Sequence, residues 1–256
     1  MMTPKATILN QDCIRGMAEM PPASVHLAVS SIPFESLFVY SGKDEDVGNN
    51  GSTIDILKGR FALNLRFFAE QLFRVIAPGC NWCCHIQQLL AYKNQHGFSG
   101  RRDFRGATID IFGAAGFQFK GEVAINKDPQ ALANKLNLHS LQFKTGHSRT
   151  ATDWAMAPND YVLVFQKPGE VAVPIRPLVY REGKRPLRRE EWFRHNSKDD
   201  RGYVAYLRNW GVEMKAKNPR GWLSMYDWIA WANGVWHDIQ EIDVLGGQHP
   251  QTYKDG

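Results

Sequence analysis

No stretch of the chain approaches the roughly 18 consecutive apolar residues that a membrane-crossing helix needs. Met1 to Lys5 leads straight into Ala6 without an apolar signal region, so neither a membrane span nor a secretory leader is expected, and a cytoplasmic location is. Cysteine is scarce. There are four in 256 residues, and Cys80, Cys83 and Cys84 crowd into one apolar stretch, leaving only Cys13 elsewhere. A structural zinc site usually wants a second ligand pair at similar spacing, and the nearby His85 and His96 do not form one. The cysteines therefore read as buried, reduced thiols, and no metal is expected. Internal repeats and low-complexity tracts are also lacking.

What is present is positive charge. The formal net charge is +5, which suits a polyanionic partner. The excess gathers between Arg176 and Arg208, where Arg181, Lys184, Arg185, Arg188, Arg189, Arg194, Lys198 and Arg201 alternate with Tyr180, Trp192, Phe193, Tyr203 and Tyr206. Such a mixture can neutralise phosphates and stack on bases, or form a solvated face with aromatic anchors.

The first two-thirds of the chain alternates strand and helix signals. Ala6 to Asn10 reads as a strand, Cys13 to Met20 as a helix stopped by Pro21-Pro22, and Val25 to Ser30 as a strand ending before Pro33. After a polar loop, Ser41 to Gly51, the residues Phe61, Leu65, Phe68, Leu72 and Val75 recur at helical spacing until Pro78-Gly79. Strands follow at Asn81 to Ile86, Phe117 to Asn126 and Tyr161 to Phe165, with a helix at Thr108 to Ala115. This rhythm predicts an α/β fold, a mainly parallel sheet with flanking helices. Beyond Gly169 the sequence turns rich in Pro and Arg, which places a boundary there. Trp228 and Trp231, at helical spacing, are expected in a core.

Methylating an exocyclic amino group is hard because the nitrogen lone pair is delocalised into the base. A side-chain oxygen and a backbone carbonyl that both accept from the amine can hold it near tetrahedral geometry, and an aromatic ring can stack on the extruded base. Ser31-Ile32-Pro33-Phe34, just after a strand, offers these parts in four residues. The stretch Val25 to Phe34 resembles the strand and (Asp/Asn/Ser)-Pro-Pro-(Tyr/Phe/Trp) motif of the DNA N6-adenine and N4-cytosine methyltransferases. It is similar in particular to prophage-type members, whose motif runs into a stretch like Ser36-Leu37-Phe38-Val39-Tyr40-Ser41. Asn10-Gln11-Asp12-Cys13, Arg74 to Gly79, Lys127-Asp128-Pro129 and Asp160 to Gly169 follow in the order of the family's beta group.

The resemblance implies a Rossmann-like methyltransferase sheet in residues 1–170, the base-binding half of a catalytic core, and a basic target-recognition region in 171–256. It implies S-adenosylmethionine as cofactor and, as partner, DNA carrying an extruded adenine or cytosine. Ser31 and the Ile32 carbonyl would accept from the target amine, Pro33 would hold the loop rigid, Phe34 would stack on the base, and Asp12 would contact the cofactor's adenine, unless it is simply a helix cap. Two departures stand out. Ile32 replaces the motif's first proline, which costs rigidity but keeps the carbonyl. The Phe-x-Gly-x-Gly cofactor loop, expected after Trp236 to Leu245, is not found before Gly256; Gly113-Ala114-Ala115-Gly116 and Gly246-Gly247 do not replace it. A sheet lacking that strand is incomplete, and a second polypeptide would complete the cofactor site. The readings are a site-specific DNA methyltransferase, an inactive or truncated DNA-binding module or split-enzyme subunit derived from one, and, more distantly, methylation of RNA or protein. Asp153 and His147 read as polar loop residues.

Overall fold

The computed structural model describes residues 6–34, 47, 56–129, 159–170, 187–217, 231–237 and 239. The chain divides into two compact units, Met1–Ala172 with His237–Gly256, and Val173–Trp236. The long polar loop apart from Val47, together with His147, Asp153, Arg176, Tyr180, Arg181, Lys184, Arg185, Trp222, Tyr226, Trp228 and the stretch from Gln240 onward, lies outside the described residues. Among the described residues no helix is long and apolar enough to cross a membrane.

The first unit is an α/β structure. Its elements are α1 (Cys13–Glu19), β1 (Val25–Ser31), α2 (Arg60–Val75), β2 (Ile76–Gln87), β3 (Leu89–Ala91), α3 (Lys93–His96), β4 (Gly100–Arg102), α4 (Phe104–Ala114), β5 (Gln118–Ile125) and β6 (Asp160–Gln166). β1, β2, β6 and β5 lie side by side in that order. β1 and β2 are parallel, and β6 pairs antiparallel with both β2 and β5, so three strands run one way and β6 runs against them. β3 and β4 form a separate antiparallel pair around α3.

The helical stripe read from the sequence does the work expected of it. Phe61, Leu65, Leu72 and Val75 are buried, and the Phe68 ring meets Trp82 edge-on. Trp82 is fully buried, stacked on Phe165 at 5.1 Å and meeting the tilted ring of Phe112 of α4 at 4.1 Å. These rings form the aromatic centre of the core, beside the aliphatic side chains of α2, α4 and the strands. Across the strand pair, Trp82 Nε1 donates to Ser30 Oγ at 2.8 Å, tying β1 to β2. Lys167 donates to the carbonyls of Phe73 and Ile76 at 2.7 and 2.8 Å, satisfying orphan acceptors where α2 ends. The N-terminus of α4 is capped twice: Asp103 Oδ1 accepts from the Gly106 N–H, and Gln88 Oε1 accepts from those of Phe104 and Arg105.

Three local expectations change. Ala6 to Asn10 forms no strand; Ile8 and Leu9 are 95% and 67% exposed, because no neighbouring strand among the described residues offers them a ladder. β2 starts directly at Ile76, with Pro78-Gly79 inside it rather than closing the helix. The pairing accommodates the proline, which has no N–H to donate, by a register shift in which Val25 faces Ile76 but Leu27 faces Asn81. Trp231 is 54% exposed, so it is not a core residue.

The second unit contains α5 (Arg189–Phe193), α6 (Asp200–Lys217) and β7 (Val235–Trp236). Its aromatic residues largely serve each other. Trp192 stacks on Tyr206 at 4.4 Å, Arg189 lies over the Phe193 ring at 4.9 Å, and the Tyr203 and Tyr206 hydroxyls bond the backbone of Leu187. Arg189 also pairs with Asp200 at 2.6 Å on an exposed face.

Candidate functional site

The C-terminal ends of β1, β2 and β5 and the beginning of β6 meet along one edge of the sheet, since Ser31 lies opposite His85 and Asp160 lies opposite both Gln87 and Ile125. In open α/β sheets ligands bind outside this carboxyl edge. Polar side chains converge there. Ser31 Oγ lies 3.1 Å from His85 Nδ1, and His85 Nε2 lies 2.9 Å from Asp160 Oδ2. Lys127, just beyond β5, reaches the same carboxylate oxygen at 2.6 Å.

Asp160 sits at the buried end of this chain, its side chain only 8% exposed. Burial alone would raise its pKa, but the bonds from His85 and Lys127 outweigh it and hold the carboxyl below the usual aspartate range. Its other oxygen, Oδ1, is buried and finds no hydrogen-bond partner among the described residues. Ser31, at the opposite end, is exposed. The cluster thus carries polarity from a buried carboxylate out to a hydroxyl at the surface.

The motif residues are placed as follows. The Ile32 side chain is buried in the core, at 3% exposure, where a branched apolar residue packs well. Pro33 is half-buried. Phe34 packs against the core and presents edge contacts to His85 at 6.2 Å and Phe104 at 6.4 Å. Behind them Cys84 is fully buried; burial pushes its thiol up to about 12, although the Ile32 backbone pulls the other way. Cys80 is buried and Cys83 half-buried. His96 accepts the Tyr92 N–H at 2.9 Å inside the turn around α3.

Asp12 stands at the N-terminus of α1. Its Oδ1 accepts from the Arg15 N–H at 2.8 Å, so the capping role read from the sequence is real. The second oxygen accepts nothing among the described residues and remains able to take a donor from a ligand. The two roles are compatible because a carboxylate has acceptor sites on both oxygens.

His85 and Asp160 escaped the reading of the sequence as site residues, and Lys127 was read only as part of a strand exit. Their signal is positional: each stands within two residues of the end of an apolar strand.

Neither the protein-family models nor the curated protein sequences match the chain. Among solved structures it is similar to a candidate DNA modification methylase from Thermus thermophilus complexed with S-adenosyl-L-methionine, at 17% identity and a TM-score of 0.49, covering 90% of this chain and 65% of that one. It is also similar to the cytosine-N4-specific PvuII DNA methyltransferase, at 15% identity and a TM-score of 0.39, covering 62% of this chain and 49% of that one. A third likeness is an S-adenosylmethionine-dependent methyltransferase from Methanosarcina mazei, at 11% identity and a TM-score of 0.30, covering 59% of this chain and 63% of that one. The chain therefore spans somewhat less than two thirds of the length of the methylase from Thermus. At these identities the likeness is one of chain course.

Proposed function

We propose that the chain carries the base-binding site of an S-adenosylmethionine-dependent DNA amino-methyltransferase, acting on adenine N6 or cytosine N4. The observation that carries this reading is the position of Ser31-Ile32-Pro33-Phe34 at the carboxyl end of β1, with an exposed hydroxyl backed by His85. When bound, S-adenosylmethionine supplies a methyl group on a positively charged sulfur. Ser31 Oγ and the Ile32 carbonyl accept the two N–H bonds of the target amine and draw its lone pair out of the ring system. Pro33 biases Ile32 toward the extended backbone that this requires, and Phe34 stacks on the flipped base. Asp12 holds the cofactor's adenine through its second carboxylate oxygen. Exposed Arg194, Lys198, Arg201 and Arg208 of the second unit supply phosphate contacts.

A second reading has its own observation. The outer edge of β1 pairs with no strand among the described residues, while Leu27 and Val29 on that strand are 60% and 73% exposed. An unpaired strand edge and an exposed apolar face are both surfaces that proteins ordinarily cover. A separate polypeptide that adds strands there would complete the cofactor site, making this chain one half of a split enzyme or, without such a partner, a DNA-binding module. Calorimetry of the full chain with S-adenosylmethionine, beside DNA binding over a salt series, separates these readings. Cofactor binding with label transfer to DNA is expected for the enzyme. A salt-sensitive DNA complex with neither cofactor binding nor transfer overturns autonomous catalysis.

A further inference from the structure

The hydrogen-bond chain behind Ser31 has a direction. Asp160 Oδ2 lies 2.9 Å from His85 Nε2 and 2.6 Å from Lys127 Nζ. An ionised carboxylate can only accept, so His85 Nε2 must carry a proton. In the neutral ring Nδ1 is then unprotonated and can only accept. Its neighbour at 3.1 Å is Ser31 Oγ, which in that tautomer turns its single hydrogen inward. Both of the hydroxyl's lone pairs face away from the imidazole. A serine hydroxyl without this backing rotates freely and serves as donor or acceptor as its partner demands.

We propose that His85 and Asp160, with Lys127 holding the carboxylate, are positioning and specificity-determining residues that commit the Ser31 hydroxyl to accepting hydrogen bonds and so select bases with an amino group at the ring edge over bases with a carbonyl there. The inference rests on the reading of Ser31 as the residue that meets the target base. Adenine and cytosine offer an N–H at the relevant edge and are held. Thymine and guanine offer a carbonyl oxygen, which faces another acceptor with no hydrogen between them, and are rejected. An unpaired polar contact of this kind discriminates more strongly than a missing methylene. Phe34 cannot make this distinction, because every base has a face on which to stack.

Two measurements on the full chain test this. Long-range ¹⁵N–¹H correlation spectra report the tautomer of His85 in the unmodified protein, and the Nε2–H form is expected. An Nδ1–H form overturns the proposal. Binding of oligodeoxycytidylate and oligothymidylate of equal length, followed by fluorescence, compares pyrimidines whose edges differ by amino against carbonyl. Cytidylate is expected to bind about tenfold more tightly, roughly the effect of one hydrogen bond made against one left unmade. His85→Leu should bring the ratio near unity, and adding Ser31→Asp, a side chain that accepts whatever stands behind it, should restore the preference. A ratio unaltered by His85→Leu, or equally low in both backgrounds, overturns the proposal. Neither readout requires methyl transfer, so failure of the catalytic reading shows separately, as binding preference without incorporation of label.

Discussion

Successive residues of β1 meet opposite surroundings. Ala28 and Ser30 lie toward Trp82 and the core, Ser30 accepting the indole N–H, whereas Leu27 and Val29 between them stand largely in solvent. A strand whose two faces are both apolar is the pattern of a strand buried on both sides, yet here one side alone is filled by the described residues. Among the described residues the core face is packed and the carboxyl edge gathers the polar cluster, while the other face carries exposed Leu27 and Val29 with nothing described packed on them.

That contrast can be broken from either side. Trp82→Ala should be the most damaging change, costing about 3–5 kcal/mol in urea unfolding because the rings of Phe68, Phe112, Phe117 and Phe165 lose their common contact. Asp160→Ala comes next at about 3 kcal/mol, since it removes the carboxylate that Lys127 and His85 share in a largely buried place. The acid behaviour of the unmodified chain follows from the same group. The folded carboxyl lies below its unfolded value of about 3.9, so its stabilisation is complete above that pH and is lost as pH falls through the folded value. Unfolding midpoints measured downward from about pH 6 should fall in that acid range, and the Asp160→Asn protein should lack this component. The smallest effect belongs to the exposed face: Leu27→Ser with Val29→Ser should shift stability by no more than about 0.5 kcal/mol. A loss comparable to that of Trp82→Ala would show the two faces to be alike after all.

The parts of this arrangement that were legible in the sequence are those fixed by local pattern. Phe61, Leu65, Leu72 and Val75 announce α2 by spacing alone, and the run from Val25 ends at a proline that marks the site loop. The parts that were not legible depend on neighbours. Ala6 to Asn10 has strand composition but no adjacent ladder, and Trp231 has helical spacing to Trp228 yet lies exposed. Pro78-Gly79 looks like a helix stop, while a register shift lets it ride inside β2. His85 stands 54 residues from Ser31 and 75 from Asp160, and only parallel pairing on one side and antiparallel pairing on the other bring the three together. Nothing in the local sequence around His85 carries that register.

In the proposed function, the site at Ser31 directs methyl transfer to an exocyclic amine of DNA. Its most direct test is incubation of the full chain with S-adenosylmethionine and mixed-sequence DNA, followed by mass spectrometry of the digested nucleosides. N6-methyladenine or N4-methylcytosine is expected, with a loss of about 100-fold or more in Ser31→Ala. Unmodified nucleosides, or a methylated product formed equally well without the Ser31 hydroxyl, would contradict it.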